Sequence, residues 1–322
     1  MESPLLEIKN LKTHFRVRNG TIKAVDGLDF HLNENETLGI VGESGSGKSL
    51  TALSILGLIP PPGKVVEGQI NFKGKNLLTL SNKEITQIRG GEISMIFQEP
   101  MSALNPLLTV GKQIYEAITT HQKLNRREAK ERVFDMINQV GIADPKTRYG
   151  EYPHQFSGGQ RQRFMIAMAL ACRPALLIAD EPTTALDVTC QAQILELIET
   201  LQQEIKTAVI LISHDLGIVA EFVQRVVVMY TGTMMESAGV NDLFEKPAHP
   251  YTKALMKAIP YLGNKERKKH LYEIPGMIPS LQKLPQGCKF HPRCNCAEPI
   301  CSKDEPPLKK IDEGHWARCW FV

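Results

Sequence analysis

The chain has 322 residues, enough for two domains or for one large domain with an appendage. With 42% apolar and 23% charged residues it has the make-up of a globular protein, which excludes wholesale disorder, and seven cysteines are too few, and odd in number, for a disulfide scaffold. The net charge of +3 divides into −1 over residues 1–260 (27 Lys+Arg, 28 Asp+Glu) and +4 over residues 261–322 (11 and 7). That is too little charge for a nucleic-acid footprint, and the basic tail reads as a solvated surface.

No window reaches about 18 consecutive apolar residues, so no bilayer span is expected. The opening MESPLLEIKN has acids where a secretory leader would be basic and then apolar. The chain is therefore expected to stay in the cytosol, where thiols are reduced.

Three strand-like runs come first: residues 5–17, 21–32 and 36–42, with Asn19-Gly20 as the turn between the first two. The apolar run Leu38 to Val41 ends at glycine, as a buried strand does. A helix is predicted from Lys48 through Leu58, stopped by Pro60-Pro61-Pro62-Gly63. GQINFKGKNL and ISMIFQ are further strand candidates. From Pro106 to Gly150 the apolar period changes to helical: Val110, Ile114, Ala117 and Ile118, then Val133, Met136, Ile137 and Val140 before Gly141. Residues 161–172 predict a buried helix. After it come strand ALLIAD, helix QAQILELIETLQQ, strand AVILIS, helix LGIVAEFV and strand RVVVMY. Alternation of this kind predicts an α/β core with a mainly parallel sheet. From about Asp242 prolines multiply and five of the seven cysteines appear. Such a segment cannot build much core alone, so it must be stapled or docked.

Gly42-Glu43-Ser44-Gly45-Ser46-Gly47-Lys48-Ser49 fits G-x-x-x-x-G-K-[ST]. Glycines let the backbone curl so that its N–H groups face phosphate oxygens, and the next helix presents its positive N-terminus to the same anion. Lys48 is expected to reach the β- and γ-phosphates, and the Ser49 hydroxyl to bind Mg²⁺. The apolar run Ala175 to Ala179 delivers Asp180 and Glu181 at its end, where ligands of a doubly wound sheet sit. Asp180 is expected to hold Mg²⁺ and Glu181 to polarise the attacking water as general base.

These residues resemble the ATP-binding cassette (ABC) family over about residues 5–240. Phe156-Ser157-Gly158-Gly159-Gln160 resembles its signature motif, with Phe in place of Leu. The resemblance implies a P-loop nucleotide-binding domain over 1–240. It would have an N-terminal antiparallel β region, a helical subdomain inserted at about 100–160, and a C-terminal cysteine-containing extension over 241–322. It also implies that the signature of one subunit closes over ATP held by the loop of another. Gln98 resembles the Q-loop glutamine that contacts Mg²⁺ and water. Thr184-Ala185-Leu186-Asp187 resembles the D-loop at the dimer seam, His214 the switch histidine at the γ-phosphate, and Phe15 the aromatic that stacks on adenine.

The segments 98–106 (QEPMSALNP) and His249-Pro250-Tyr251-Thr252 resemble the dipeptide/oligopeptide importer branch, with nickel importers sharing much of the pattern. A soluble ABC ATPase acting on nucleic acid is the alternative from another class, disfavoured by the single phosphate loop and the short stretch from Gln98 to Ser157. The branch implies two transmembrane permease subunits and a second ATPase subunit as partners. An extracytoplasmic peptide-binding protein would act indirectly, no nucleic acid would be bound, and the chain would sit peripherally on the cytoplasmic face of the membrane.

In the tail, Cys288, Cys294, Cys301 and Cys319 have no pair at zinc-like spacing, whereas Cys296 and Cys301 do. A [4Fe-4S] cluster takes four Cys ligands at irregular spacing. Spacing leaves both metals open. The resemblance implies iron–sulfur on Cys288, Cys294, Cys301 and Cys319, with Cys296 outside the pattern and zinc as the alternative. Because the phosphate loop reads as a separately stabilised core, ATP binding is expected to survive loss of such a cluster, while residues 285–322 are expected to loosen.

Overall fold

Runs of alternating and continuous apolar residues become strands here because each can turn a face, or both faces, away from water. The structure is a computed structural model that describes residues 3–18, 20–98, 103–184, 186–259 and 272–322. The predicted turn residue Asn19, residues 99–102 and Ala185 lie outside it. The strands are β1 (Leu6–Val17), β2 (Gly20–Leu32), β3 (Thr37–Val41), β4 (Gly63–Phe72), β5 (Lys75–Asn76) and β6 (Ile93–Ile96). They continue with β7 (Leu176–Asp180), β8 (Ala208–Ser213), β9 (Arg225–Tyr230), β10 (Thr233–Gly239), β11 (Lys309–Asp312) and β12 (His315–Ala317). The chain divides into two units. One comprises Met1–Leu32, Thr37–Leu78 and Ile212–Val322, and the other Asn33–Glu36 and Thr79–Leu211.

In the first unit β1 pairs antiparallel with both β2 and β4, with Ile8 opposite Phe30 and Ile70. The residues on its inner face, Leu6, Ile8 and Leu11, are fully buried. β3 pairs parallel with β9, Ile40 opposite Val227. All five β3 residues are buried, as suits a strand covered on both faces. β9 and β10 form an antiparallel pair through Thr231-Gly232, with Tyr230 opposite Thr233. The helix Lys48–Ile55 is shorter than predicted, because Gly57 takes φ 61 and ends it.

The second unit holds the parallel pair β6 and β7, Ser94 opposite Leu177. Its helices are Val110–His121, Arg126–Gln139, Gly158–Leu170 and Val188–Ile205. For the first two of these the helical period marked the inner face: Val110, Ile114, Ile118, Val133, Met136 and Ile137 are buried, while Ala117 is half-buried. Asn125 caps the second of these helices, reciprocally with Glu128.

The sequence reading missed several features, among them β10, the helix Val240–Glu245 and the following. The helix Asn82–Ile88 starts with a Ser81/Glu84 capping box, a signal present in S-x-x-E. The helix Pro250–Ala258 is capped by His249. Two strands lie in the proline-rich tail. Trp316 of β12 pairs with Ser237 of β10, and β11 pairs with β12. The tail is therefore docked, as its composition required, and it is not bare of apolar packing. Phe290 is 2% exposed, with its ring centroid 5.3 Å from Tyr230 and 5.2 Å from Tyr251. Two polar ties add to it. The Lys289 ammonium donates to the Thr233 hydroxyl and lies 3.3 Å from Asp26. Buried Glu236 accepts the N–H groups of Ala248 and His249 at 2.7 and 2.8 Å and pairs with His315 at 2.8 Å.

Phe290→Ala removes a fully buried ring and is expected to cost about 3–5 kcal/mol, read as a lowered midpoint in urea. A loss below about 1 kcal/mol would show that the tail is held by something else.

Candidate functional site

The phosphate-loop candidate begins where β3 ends. Gly42 and Gly47 adopt φ 150 and φ 100. A Cβ at Gly42 would lie 2.1 Å from the Met229 carbonyl oxygen, and one at Gly47 2.4 Å from that of Ala24. Only glycine passes at either point. The close approach is fixed by Gly232, whose N–H donates to the Ser46 carbonyl at 2.8 Å. Gly47 offers no side chain to cap the helix Lys48–Ile55, so the first N–H groups face the loop as an anion-binding end. Lys48 is 6% exposed, and its ammonium donates to the carbonyls of Gly42 at 2.8 Å and Glu43 at 3.2 Å. Ser49 follows in the first turn, half-buried.

In the second unit, β7 delivers Asp180, 4% exposed, and then Glu181. Glu181 sits at φ 47, a left-handed conformation that a non-glycine residue adopts at a cost and that clusters at functional sites. Its Oε2 accepts from the Gln98 amide and from the Thr184 hydroxyl, both at 2.9 Å. Residues 83 positions apart in sequence are thus joined. Ser157 caps the helix Gly158–Leu170 reciprocally with Gln160: its hydroxyl accepts the Gln160 N–H at 3.3 Å, and Gln160 Oε1 accepts the Ser157 N–H at 3.1 Å. Phe156, 4% exposed, packs on Phe164 with centroids 4.6 Å apart, so the aromatic in place of leucine is a buried anchor. Asp187 caps the helix Val188–Ile205, accepting the Cys190 N–H at 2.9 Å. That bond holds its carboxyl below the usual range.

Two first-unit residues complete the inventory. His214 is exposed between β8 and the helix Leu216–Phe222. Phe15 lies over Gly63, where a Cβ would come 2.4 Å from its ring, and stays half-buried.

The tail cysteines line one cavity of about 140 Å³: Cys288, Cys294, Cys296, Cys301 and Cys319, with Phe290 and His291 among the other walls. Burial pushes the Cys288 thiol up to about 11 and raises Cys294. A nearby cation would be needed to make thiolates there at neutral pH. Among the described residues, no group of three or more His, Cys, Asp or Glu side chains is arranged to hold a metal ion. The four matched thiols nonetheless suit, in number and softness, a cluster held by four cysteines.

The expectation that the phosphate loop is independent of the tail is not met. Arg293, one residue before Cys294, grips the Glu43 carboxylate with both terminal nitrogens, at 2.7 and 3.0 Å. Sequence reasoning had no signal for this pair, which is 250 positions apart.

Residues 25–184 match the family model described as ABC transporter, and residues 235–301 the one described as oligopeptide/dipeptide transporter, C-terminal region. The chain is 53% identical to a probable peptide ABC transporter ATP-binding protein, y4tR, of Sinorhizobium fredii, covering 98% of this chain and 94% of that one. It is 47% identical to the dipeptide transport ATP-binding protein DppD of Escherichia coli, over 98% and 96%. Among solved structures it is similar to the ATP-binding cassette MJ0796 in a dimeric post-hydrolysis state with ADP and Pi. There the TM-score is 0.66 at 27% identity, over 73% of this chain and 98% of that one. A glycine loop built at the end of a buried strand, a carboxylate pair ending another, and near full-length likeness to these proteins converge: the chain belongs to the ABC transporter ATP-binding proteins, in the oligopeptide/dipeptide branch.

Proposed function

We propose that this chain is the ATP-hydrolysing subunit of an importer of dipeptides or oligopeptides. The observation that carries the hydrolytic part is the Gln98–Glu181 hydrogen bond at the end of β7. It holds a carboxylate that a water-activating base requires, next to a second carboxylate, Asp180. The relatives matched over nearly the whole chain are named as peptide transporters, which leaves the nickel and nucleic-acid alternatives without support.

Glycines at 42, 45 and 47, with Glu43, Ser44 and Ser46 between them, wrap the triphosphate, and Lys48 turns from the loop carbonyls toward the β- and γ-phosphates. Ser49, Asp180 and Gln98 would hold Mg²⁺, which would supply charge neutralisation on the phosphate oxygens. Glu181 takes a proton as water oxygen bonds the γ-phosphorus and the bond to the bridging oxygen breaks, leaving ADP and phosphate. His214 contacts the γ-phosphate and Phe15 packs on adenine. Ser157, Gly158, Gly159 and Gln160, at a helix N-terminus, face the ATP of a second ATPase subunit, with Asp187 at the seam.

No helix among the described residues is long and apolar enough to cross a membrane. In this reading transport runs through two separate permease subunits, with the chain peripheral on their cytoplasmic side and a peptide-binding protein delivering cargo from outside. The domain plan is a nucleotide-binding domain over 1–240, with its helical insert at about 100–160, and an extension over 241–322. Cys288, Cys294, Cys301 and Cys319 of the cysteine cavity would hold a [4Fe-4S] cluster, which would serve as a structural staple, with zinc as the competing metal.

Glu181→Gln is expected to lower steady ATP turnover by roughly 10²–10⁴-fold while ATP still binds in equilibrium titration; near-normal turnover would move the base elsewhere, His214 first. Lys48→Ala should weaken ATP binding as well as turnover, because it removes the loop's own cation, and unchanged affinity would overturn the phosphate-loop assignment. Protein purified without oxygen should be brown and carry about four iron and four sulfide per chain. Serine at any of the four matched cysteines should bleach it and serine at Cys296 should not; about one zinc without sulfide would replace the iron–sulfur reading.

A further inference from the structure

Glu43 is the second residue of the phosphate loop, and each of its polar groups is already held. Its carboxylate accepts the bidentate Arg293 guanidinium at 2.7 and 3.0 Å. Its N–H donates to the Tyr251 hydroxyl at 2.9 Å. Its carbonyl accepts from the Lys48 ammonium at 3.2 Å. Arg293 in turn is fixed from all sides. Its side chain is 3% exposed, and it donates to the Tyr230 hydroxyl at 3.3 Å and to the carbonyls of Pro275 and Ile274 at 3.1 and 3.3 Å. Its guanidinium lies over the Tyr230 and Phe290 rings at 5.8 and 6.0 Å. It ends the short turn His291–Arg293, between two cysteines of the cavity. Bidentate arginine–carboxylate pairs fix geometry as well as charge.

A carboxylate in a loop that binds a polyanion is an electrostatic handicap. Glu43 is tolerable there because Arg293 pairs with it and cancels its charge. We propose that Arg293, with Tyr251, is a positioning residue for ATP: it neutralises and anchors Glu43, so that the cysteine-bearing tail sets the affinity of the phosphate loop. The proposal rests on reading residues 42–49 as the ATP loop.

The test is ATP affinity of the full chain with Mg²⁺, measured by calorimetry for Arg293→Met, Arg293→Lys, Arg293→Met with Glu43→Gln, and Lys48→Ala, each checked for folding by thermal unfolding. Arg293→Met keeps apolar bulk and leaves Glu43 uncompensated; it is expected to raise the Kd for ATP about fivefold. Arg293→Lys, which keeps the charge and loses the fork, should raise it about twofold. Adding Glu43→Gln to Arg293→Met should recover most of the loss, because the unpaired charge is then gone. A residue that merely stabilises the fold would not be rescued this way. An unrecovered double variant, or an Arg293→Met affinity equal to wild type while Lys48→Ala binds poorly, would overturn the proposal. If Lys48→Ala also bound ATP normally, the loop reading itself would fall and the proposal with it. Should Arg293→Met not fold, Arg293→Lys binding as tightly as wild type would overturn it alone.

Discussion

A polar group taken out of water must meet a partner, and in this chain two such partners come from opposite ends of the sequence: Arg293 meets Glu43 and Lys289 meets Asp26, while His315 meets Glu236 from nearer by. Breaking a buried pair by removing one member costs several kcal/mol, about 3–5, because the other charge is left stranded. These three ties, with Phe290 among Tyr230, Tyr251 and His249, make the tail inseparable from the strands that carry the phosphate loop. A segment too poor in apolar residues to fold alone has been given a core by borrowing one.

That borrowing has a consequence for chemistry. The loop's two indispensable glycines are pressed against β9 and β2 through the carbonyls of Met229 and Ala24. Tyr230, the residue after Met229, is one wall of the Arg293 pocket. The same strand, β9, therefore touches both the loop and the tail. A change in the cysteine turn reaches Glu43 through one side chain, with no long relay required.

The second unit follows another rule. Its catalytic candidates are placed by element ends. β7 stops at Asp180, the chain turns left-handed at Glu181, and Gln98 reaches it from just beyond β6. The signature residues Ser157 and Gln160 use their side chains to close each other's N–H groups at a helix start. The strand end, the left-handed turn and the cap are short-range devices with a trace in the sequence; the Gln98–Glu181 bond alone spans 83 positions.

That difference decides how much could be read without coordinates. Glycine spacing, the apolar strand ending in Asp180-Glu181, the helical period around Val133 and the signature at Ser157 are local patterns, and local backbone chemistry fixes what they become. The family and the class of reaction were legible from them. That the tail must dock was legible from its composition, but the partners it docks against were not. Lys289, Phe290, Arg293 and His315 look like ordinary members of a proline-rich, basic segment, and the residues that bury them lie as far as 263 positions away. Nor does spacing say that five thiols share one cavity. Sequence fixes which groups a chain carries and the elements they fall in. Only the tertiary structure decides which of those groups leave water together, because desolvation is a property of the packed neighbourhood and not of the order of residues.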